Sequence, residues 1–63
     1  MYIGFKHYKT FQWIEEKTSD ELPIVPDKGD VVWLKGHHYK VKSKQFNIID
    51  GKNSLMFIYV KEV

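Results

Sequence analysis

Apolar and polar residues alternate along most of the chain, and this pattern predicts β-strands. The first candidate strand runs from Tyr2 to Lys9 and the second from Phe11 to Lys17, with a turn near Lys9-Thr10 joining them as a hairpin. A helix over residues 6–17 is the competing interpretation, but aromatic and β-branched residues fill the segment and the chain contains no alanine. The polar run Thr18-Ser19-Asp20-Glu21 then breaks the pattern and is suited to capping one helical turn.

The segment from Asp30 to Val41 predicts a β-hairpin. Two strand-forming runs flank Gly36-His37, and a glycine at the first position of a two-residue loop suits a type II′ turn. One face of this hairpin is apolar, and the other carries lysines around Trp33. The register that follows pairs Lys35 with His38, Leu34 with Tyr39, Trp33 with Lys40, Val32 with Val41 and Val31 with Lys42.

The segment between the second strand and this hairpin contains two prolines, which remove ladder donors and exclude it from the interior of a sheet. We expect an extended crossover from Leu22 to Pro26 that packs Leu22, Ile24 and Val25 on the core. Residues 27–30, Asp-Lys-Gly-Asp, then turn the chain into the hairpin.

The alternation changes phase after Lys44. Phe46 and Ile48 are apolar but occupy even-numbered positions, as the lysines at 40, 42 and 44 do. A β-bulge or sharp bend near Ser43 to Gln45 would re-aim the strand. Residues 50–53, Asp-Gly-Lys-Asn, predict a turn before a final strand from Leu55 to Val63. This strand has apolar residues at both odd and even positions, and therefore on both faces. Such a strand should lie centrally in the sheet, or else its outer face is an interface.

These elements predict a single β domain over residues 1–63. Its fold class is all-β, a small five-stranded antiparallel SH3-like barrel or strongly curled sheet. A chain of 63 residues buries only about 60% of its unfolded surface and reaches roughly 3–5 kcal/mol of stability without staples. It has no cysteine to form disulfides, so we expect self-association through strand edges, as a homodimer.

No apolar run approaches the ~20 residues needed to span a bilayer, and the N-terminal residues lack the pattern of a signal peptide. We therefore expect a cytoplasmic protein without a membrane partner.

Charge is distributed unevenly along the chain. Residues 15–30 carry six acidic side chains against two lysines, whereas residues 31–63 carry six lysines against two acidic side chains, although the overall net charge is only +2. The acidic stretch is interpreted first as a solvated loop, and alternatively as one half of a dipole that steers a charged partner. All ten basic residues are lysines, which disfavours sequence-specific nucleic-acid recognition because arginine is the usual reader of phosphates and guanine edges.

Catalytic and metal-binding constellations are not recognisable in the sequence. Adjacent His37 and His38 point to opposite faces of a strand, and neither has a ligand partner at metal-binding spacing. The acidic pairs lie in the most polar segment, where a carboxyl pKa is hard to raise, and no serine has a base at a usable spacing. We therefore expect no enzyme activity, no metal and no cofactor.

The Trp33 face is the main candidate for a binding site. A tryptophan among lysines suits a protein-binding surface, and it also suits a stacking platform for single-stranded nucleic acid; the structural alternative is that lysine stems simply cover the indole. Tyr39 or Trp13 would be contacts instead if their faces are left open. The predicted binding residues are Trp33, Lys35, His38, Lys40, Lys42 and Lys44.

From Pro26 onward the chain resembles small all-β proteins encoded by phages and prophages of Bacillus-type hosts. The shared pattern is P-x-x-G-D-x-V-x-x-x-G-x-x-Y-x-V, and its residues occupy predicted turn and core positions. The resemblance implies a non-enzymatic protein that binds and inhibits or modulates a host or antiphage-defence protein. The alternative functions are nucleic-acid binding and that of a structural phage component. In this chain the pattern is carried by Pro26, Gly29, Asp30, Val32, Gly36, Tyr39 and Val41.

Overall fold

A computed structural model of the chain describes residues 1–22, 24–48 and 54–63, and within these ranges the regular structure is entirely β. The strands form one strongly curled, nearly closed sheet in the order β2-β1-β5-β4-β3, which confirms the predicted fold class. No helix in the described part of the chain is long and apolar enough to cross a membrane. The strands are β1 (Tyr2–His7), β2 (Trp13–Thr18), β3 (Val31–Leu34), β4 (His37–Ile48) and β5 (Ser54–Glu62).

The central strand of the sheet is β5, as its apolar residues on both parities predict. It pairs with β4 in antiparallel and with β1 in parallel orientation, placing Ile3 opposite Met56 and Phe5 opposite Ile58. The sheet is therefore mixed, and the expectation of a purely antiparallel arrangement is wrong for this one pair. The parallel pair arises because β5 returns alongside β1 only after the chain has crossed from one edge of the sheet to the other.

One face of the sheet, which we call the inner face, forms the core. The crossover between β2 and β3 helps to cover it, since Pro26 is buried and Leu22 and Val25 pack against the core residues. Ile24 does not join them and is 83% exposed, so the prediction that it packs on the core is wrong. The buried core residues are Ile3, Phe5, Leu34, Val41, Met56, Ile58 and Val60.

The β3–β4 hairpin turns at Lys35-Gly36 and not at Gly36-His37. Lys35 has a φ of 49° and Gly36 a φ of 80°, and positive values at both central positions define a type I′ turn, whose twist matches that of the strands. Trp33 therefore lies opposite His38, and the register differs from the predicted one by two residues. Because side chains alternate with a period of two, both hairpin faces are nevertheless as predicted.

A β-bulge interrupts β4 at Lys42. Val41 pairs with Val60, whereas Ser43 already pairs with Tyr59, so Lys42 has no partner on β5. The predicted change in the alternation of β4 is confirmed. It occurs at Lys42, one residue before the predicted interval of Ser43 to Gln45. The turn predicted over residues 50–53 lies outside the described residues.

A reciprocal cap closes the end of β2. The Glu21 carboxylate accepts hydrogen bonds from the Thr18 amide and hydroxyl, each at 3.1 Å, and the Glu21 amide donates to the Thr18 hydroxyl oxygen at 3.4 Å. This is the hydrogen-bond pattern of a capping box on a single turn. The bond from the Thr18 amide is the main reason why the pKa of Glu21 lies below its ordinary value, and the Thr18 hydroxyl adds to it.

The cap should contribute to the pH dependence of stability. A carboxyl whose pKa is lower in the folded state stabilises the fold above its unfolded pKa, and this contribution is lost as the pH falls through the folded value. We expect thermal melts of Glu21→Gln to lose less stability than those of the wild type as the pH falls below about 4. Glu16→Gln, which makes the same charge change on an exposed carboxylate outside the cap, is the matched control for the loss of one charge. Equal acid sensitivity in Glu21→Gln and the wild type would contradict the cap.

Candidate interaction surface

The face of the sheet opposite the core, which we call the outer face, carries aromatic and lysine side chains in an interleaved order. The register of the strand pairs places its members, because residues directly opposite each other share a face. The outer face comprises Tyr2, Gly4, Lys6, Trp13, Glu16, Thr18, Val31, Trp33, His38, Lys40, Ser43, Gln45, Asn47, Leu55, Phe57, Tyr59 and Lys61.

The outer face is basic because the ion-paired carboxylates lie elsewhere. Glu16 is the one acidic residue among the strand positions assigned to it. On the other side of the sheet, Asp27 pairs with Lys44 at 2.7 Å and Glu15 with Lys17 at 3.3 Å, and the Glu62 carboxylate bonds the His7 ring at 3.1 Å. The paired carboxylates and the lysines of the outer face thus lie on opposite sides of the sheet.

The first cluster on the outer face, the Trp33 cluster, consists of Trp33, Val31, His38 and Lys40. Trp33 is 62% and Val31 is 57% exposed on the edge strand β3. The His38 ring meets the indole in an edge-on arrangement, with ring centroids 4.4 Å apart. The indole is therefore supported on one side and open to solvent over most of its surface, so lysine stems do not cover it.

The remaining predicted binding residues have different positions. Lys35 lies in the turn at the tip of the hairpin, next to Trp33 in sequence. Lys42 occupies the bulge, and its Nζ lies 6.0 Å from the centroid of the Tyr8 ring. Lys44 was predicted on the same face, but this prediction is wrong, because the bulge moves it opposite Ile58 and its Nζ bonds Asp27. Tyr39 lies on the inner face, half-buried against the core.

A second cluster, the Trp13 cluster, consists of Phe11, Trp13, Phe57, Tyr59 and Lys6. The rings follow one another with centroid distances of 6.0 Å between Trp13 and Phe57, 6.4 Å between Phe57 and Tyr59, and 5.6 Å between Tyr59 and Phe11. The Lys6 Nζ lies 4.1 Å from the Phe57 centroid and 5.6 Å from that of Trp13, within cation–π range. In the sequence, this cluster is indicated by the outward-facing residues of β5, such as Phe57 and Tyr59, which are apolar like the inward-facing ones.

Gly4 makes room for the Trp13 ring. A Cβ at Gly4 would stand 2.5 Å from Cη2 of the indole, closer than real contacts allow, so the six-membered ring lies directly over the glycine. Phe11, with a φ of 60°, takes a left-handed backbone conformation that is uncommon for a bulky residue. The residue is 61% exposed.

The histidines do not converge on a metal site. The described residues contain no group of three or more side chains with the donor atoms and spacing for a metal ion. His38 faces Trp33, whereas His7 bonds Glu62 on the inner side. The pKa of Glu62 is lowered, first by its own backbone amide and then by His7. His38 therefore packs against an aromatic ring, and His7 holds a carboxylate through a hydrogen bond.

Comparisons with protein-family models, curated proteins and solved structures found no match to this chain. The resemblance to small phage proteins accordingly stays a prediction from the residues that carry it.

The packing of Trp13 on Gly4 can be tested by a double-mutant cycle. Gly4→Ala should destabilise the fold by about 1–3 kcal/mol, because the new methyl group overpacks the indole. In a Trp13→Ala background the same change should be neutral or stabilising by roughly 0.5–1 kcal/mol, since alanine restricts the unfolded strand more than glycine does. Urea unfolding of the four proteins measures the coupling, and an equal cost of Gly4→Ala in both backgrounds would refute the packing.

Proposed function

We propose that this chain is a non-enzymatic protein-binding module and that the Trp33 cluster is its main contact surface. Following the resemblance described above, its partner is a host or antiphage-defence protein, which a phage-encoded copy would inhibit or modulate in the host cytoplasm. The observation that carries the proposal is the exposure of Trp33 beside Val31 on a molecule whose core is complete without them.

The exposed indole has the character of a binding hot spot. Tryptophan is enriched among the residues that dominate interface energetics, and it contributes most where surrounding contacts exclude water. Trp33 has such surroundings in part, because His38 packs on one side of it and Val31 extends the apolar area along β3. A partner that covers the open side would desolvate the ring completely.

The charge of the outer face indicates the kind of partner surface. Lys40 lies beside Trp33, with Lys61 opposite it on β5, and Lys35 stands at the tip of the hairpin. An acidic surface would be steered towards these lysines, and the steering would weaken with salt because exposed charges are screened. Trp33 would then set the dissociation rate, and the lysines would set the association rate.

Single-stranded nucleic acid is the second candidate ligand. The specific observation that favours it is the interleaving of aromatic rings and lysines across the outer face, from Trp13 through Phe57 and Tyr59 to Lys40 and Trp33. Bases stack on aromatic side chains, and lysines neutralise the phosphates. Against it, the Trp13–Phe57 and Phe11–Tyr59 pairs meet edge-on, so a ring edge covers part of a neighbouring ring face that a base would use for stacking.

The protein-binding proposal predicts a separation between folding and binding. Trp33→Ala should leave thermal stability within about 0.5 kcal/mol of the wild type, because the ring lies outside the core. A partner captured from host lysate by the wild-type protein should bind this variant on the order of 2 kcal/mol more weakly, roughly 30-fold in affinity. Trp13→Ala, which removes the other exposed indole, is the matched control and should retain capture. Unfolding of Trp33→Ala would show that the indole is a core element.

The nucleic-acid alternative makes a different prediction. Fluorescence anisotropy with a single-stranded oligonucleotide should show binding at low salt that falls steeply as salt rises, because each lysine–phosphate contact releases counterions. Lys40→Gln should reduce the salt slope by about one, while Lys28→Gln, an equal charge change on the crossover, should not. The absence of binding at low salt would eliminate this alternative.

A further inference from the structure

We infer that the free edge of β3 pairs with the β3 edge of a second copy of this chain, so that two sheets join across a two-fold axis at Val32. The association itself is independent of the proposed function. Its consequence for the contact surface, given below, rests on that function.

The free backbone groups of β3 belong to Val31 and Trp33. The Val41 amide donates to the Asp30 carbonyl and the Val41 carbonyl accepts from the Gly29 amide, each at 2.9 Å, so Gly29 and Asp30 together oppose Val41 in a glycine bulge. The Asp30 carbonyl therefore points towards β4, and Asp30 is a hydrogen-bonded position at the start of the β3–β4 ladder. Hydrogen-bonded and non-hydrogen-bonded pairs alternate along an antiparallel ladder, so the Val31–Lys40 and Trp33–His38 pairs are non-hydrogen-bonded. The amides and carbonyls of Val31 and Trp33 therefore point away from β4, along the edge.

The His38 carbonyl confirms this phase. It accepts a hydrogen bond from the Val63 amide at 3.2 Å, on the β5 side of β4. It therefore faces away from Trp33. Among the described residues β3 pairs only with β4, and no backbone hydrogen bond of a turn or loop uses the outward groups of Val31 or Trp33.

The two edges of the sheet differ in their protection against pairing. The centre of β2 carries Glu15, Glu16 and Lys17, and charged side chains are a common means of blocking an edge. The sequence of β3 is Val-Val-Trp-Leu, with neither a charge nor a proline. Two copies of β2 would bring like-charged glutamates together, whereas two copies of β3 would bring apolar side chains together.

One register uses all the free groups of β3. A two-fold axis at Val32 places Val31 of each copy opposite Trp33 of the other, so that both residues form hydrogen-bonded pairs across the interface. Val31 and Trp33 of both copies then form one apolar row on the outer face. Asp30 of each copy lies next to the Leu34-Lys35 end of the other, so opposite charges flank the apolar centre at both ends.

Pairing enlarges the proposed contact surface. Backbone groups form the new ladder, while the Trp33 side chains stay on the outer face of the joined sheet, each beside a Val31 from the other copy. The binding surface for the partner protein is then composite. It would consist of two indoles with His38 and Lys40 of each copy around them.

Sedimentation equilibrium of the purified chain tests the association without any partner protein. At high micromolar concentration we expect a mass of twice the 7.5 kDa of one chain, and Val31→Lys should return it to 7.5 kDa. Val31 is exposed, so this variant should keep the far-UV circular dichroism of the wild type. Ile24→Lys, which changes an apolar residue on the crossover that is 83% exposed against 57% for Val31, should remain dimeric.

Single-cysteine variants test the register, because the natural chain contains no thiol. The axis places Val32 opposite its own copy in a non-hydrogen-bonded pair with Cα atoms about 4.5 Å apart, within disulfide range. Val32→Cys should therefore form a covalent dimer on mild oxidation, and Val31→Cys, opposite Trp33, should not. A 7.5 kDa species at high micromolar concentration, or equal crosslinking of the two variants, would overturn the inference. Lysate capture that survives in Val31→Lys would show that the proposed function does not need the dimer.

Discussion

The bulge at Lys42 is the constraint on which the rest of the structure depends. The strand β4 pairs with β3 through its first residues and with β5 along most of its length. The bulge inserts one unpaired residue and so exchanges the two faces of the strand at that point. Before it, Val41 faces the core and Lys40 faces out; after it, Lys44 turns inward to Asp27 and Gln45 turns outward to bond Tyr59 at 3.0 Å.

The bulge also explains how so small a chain has two differently charged sides. Lysines before it remain on the outer face with Trp33, while Lys44 behind it neutralises the acidic crossover. The inner face can then be covered by the crossover through Leu22, Val25 and Pro26. Four aromatic residues that this core does not use, Trp13, Trp33, Phe57 and Tyr59, lie on the outer face. The proposed binding and self-association would use Trp33.

The sequence predicts most of this arrangement, because strand periodicity depends on local physics. The faces of the hairpin, the central position of β5 and the phase change in β4 were all accessible from alternation alone. The turn was misplaced because glycine suits either central position, and a left-handed Lys35 has no sequence signal. The inward turn of Lys44 and the packing of Trp13 on Gly4 depend on tertiary register, which periodicity does not determine.

Nuclear magnetic resonance of the labelled chain tests the bulge most directly, through cross-strand proton contacts between β4 and β5. We expect contacts that join Val41 to Val60 and Ser43 to Tyr59, with Lys42 unpaired between them. An uninterrupted ladder that joins Lys42 to Tyr59 and Ser43 to Ile58 would contradict it. Lys44 would then face outward beside Phe57, and the separation of the acidic crossover from the basic outer face would no longer follow.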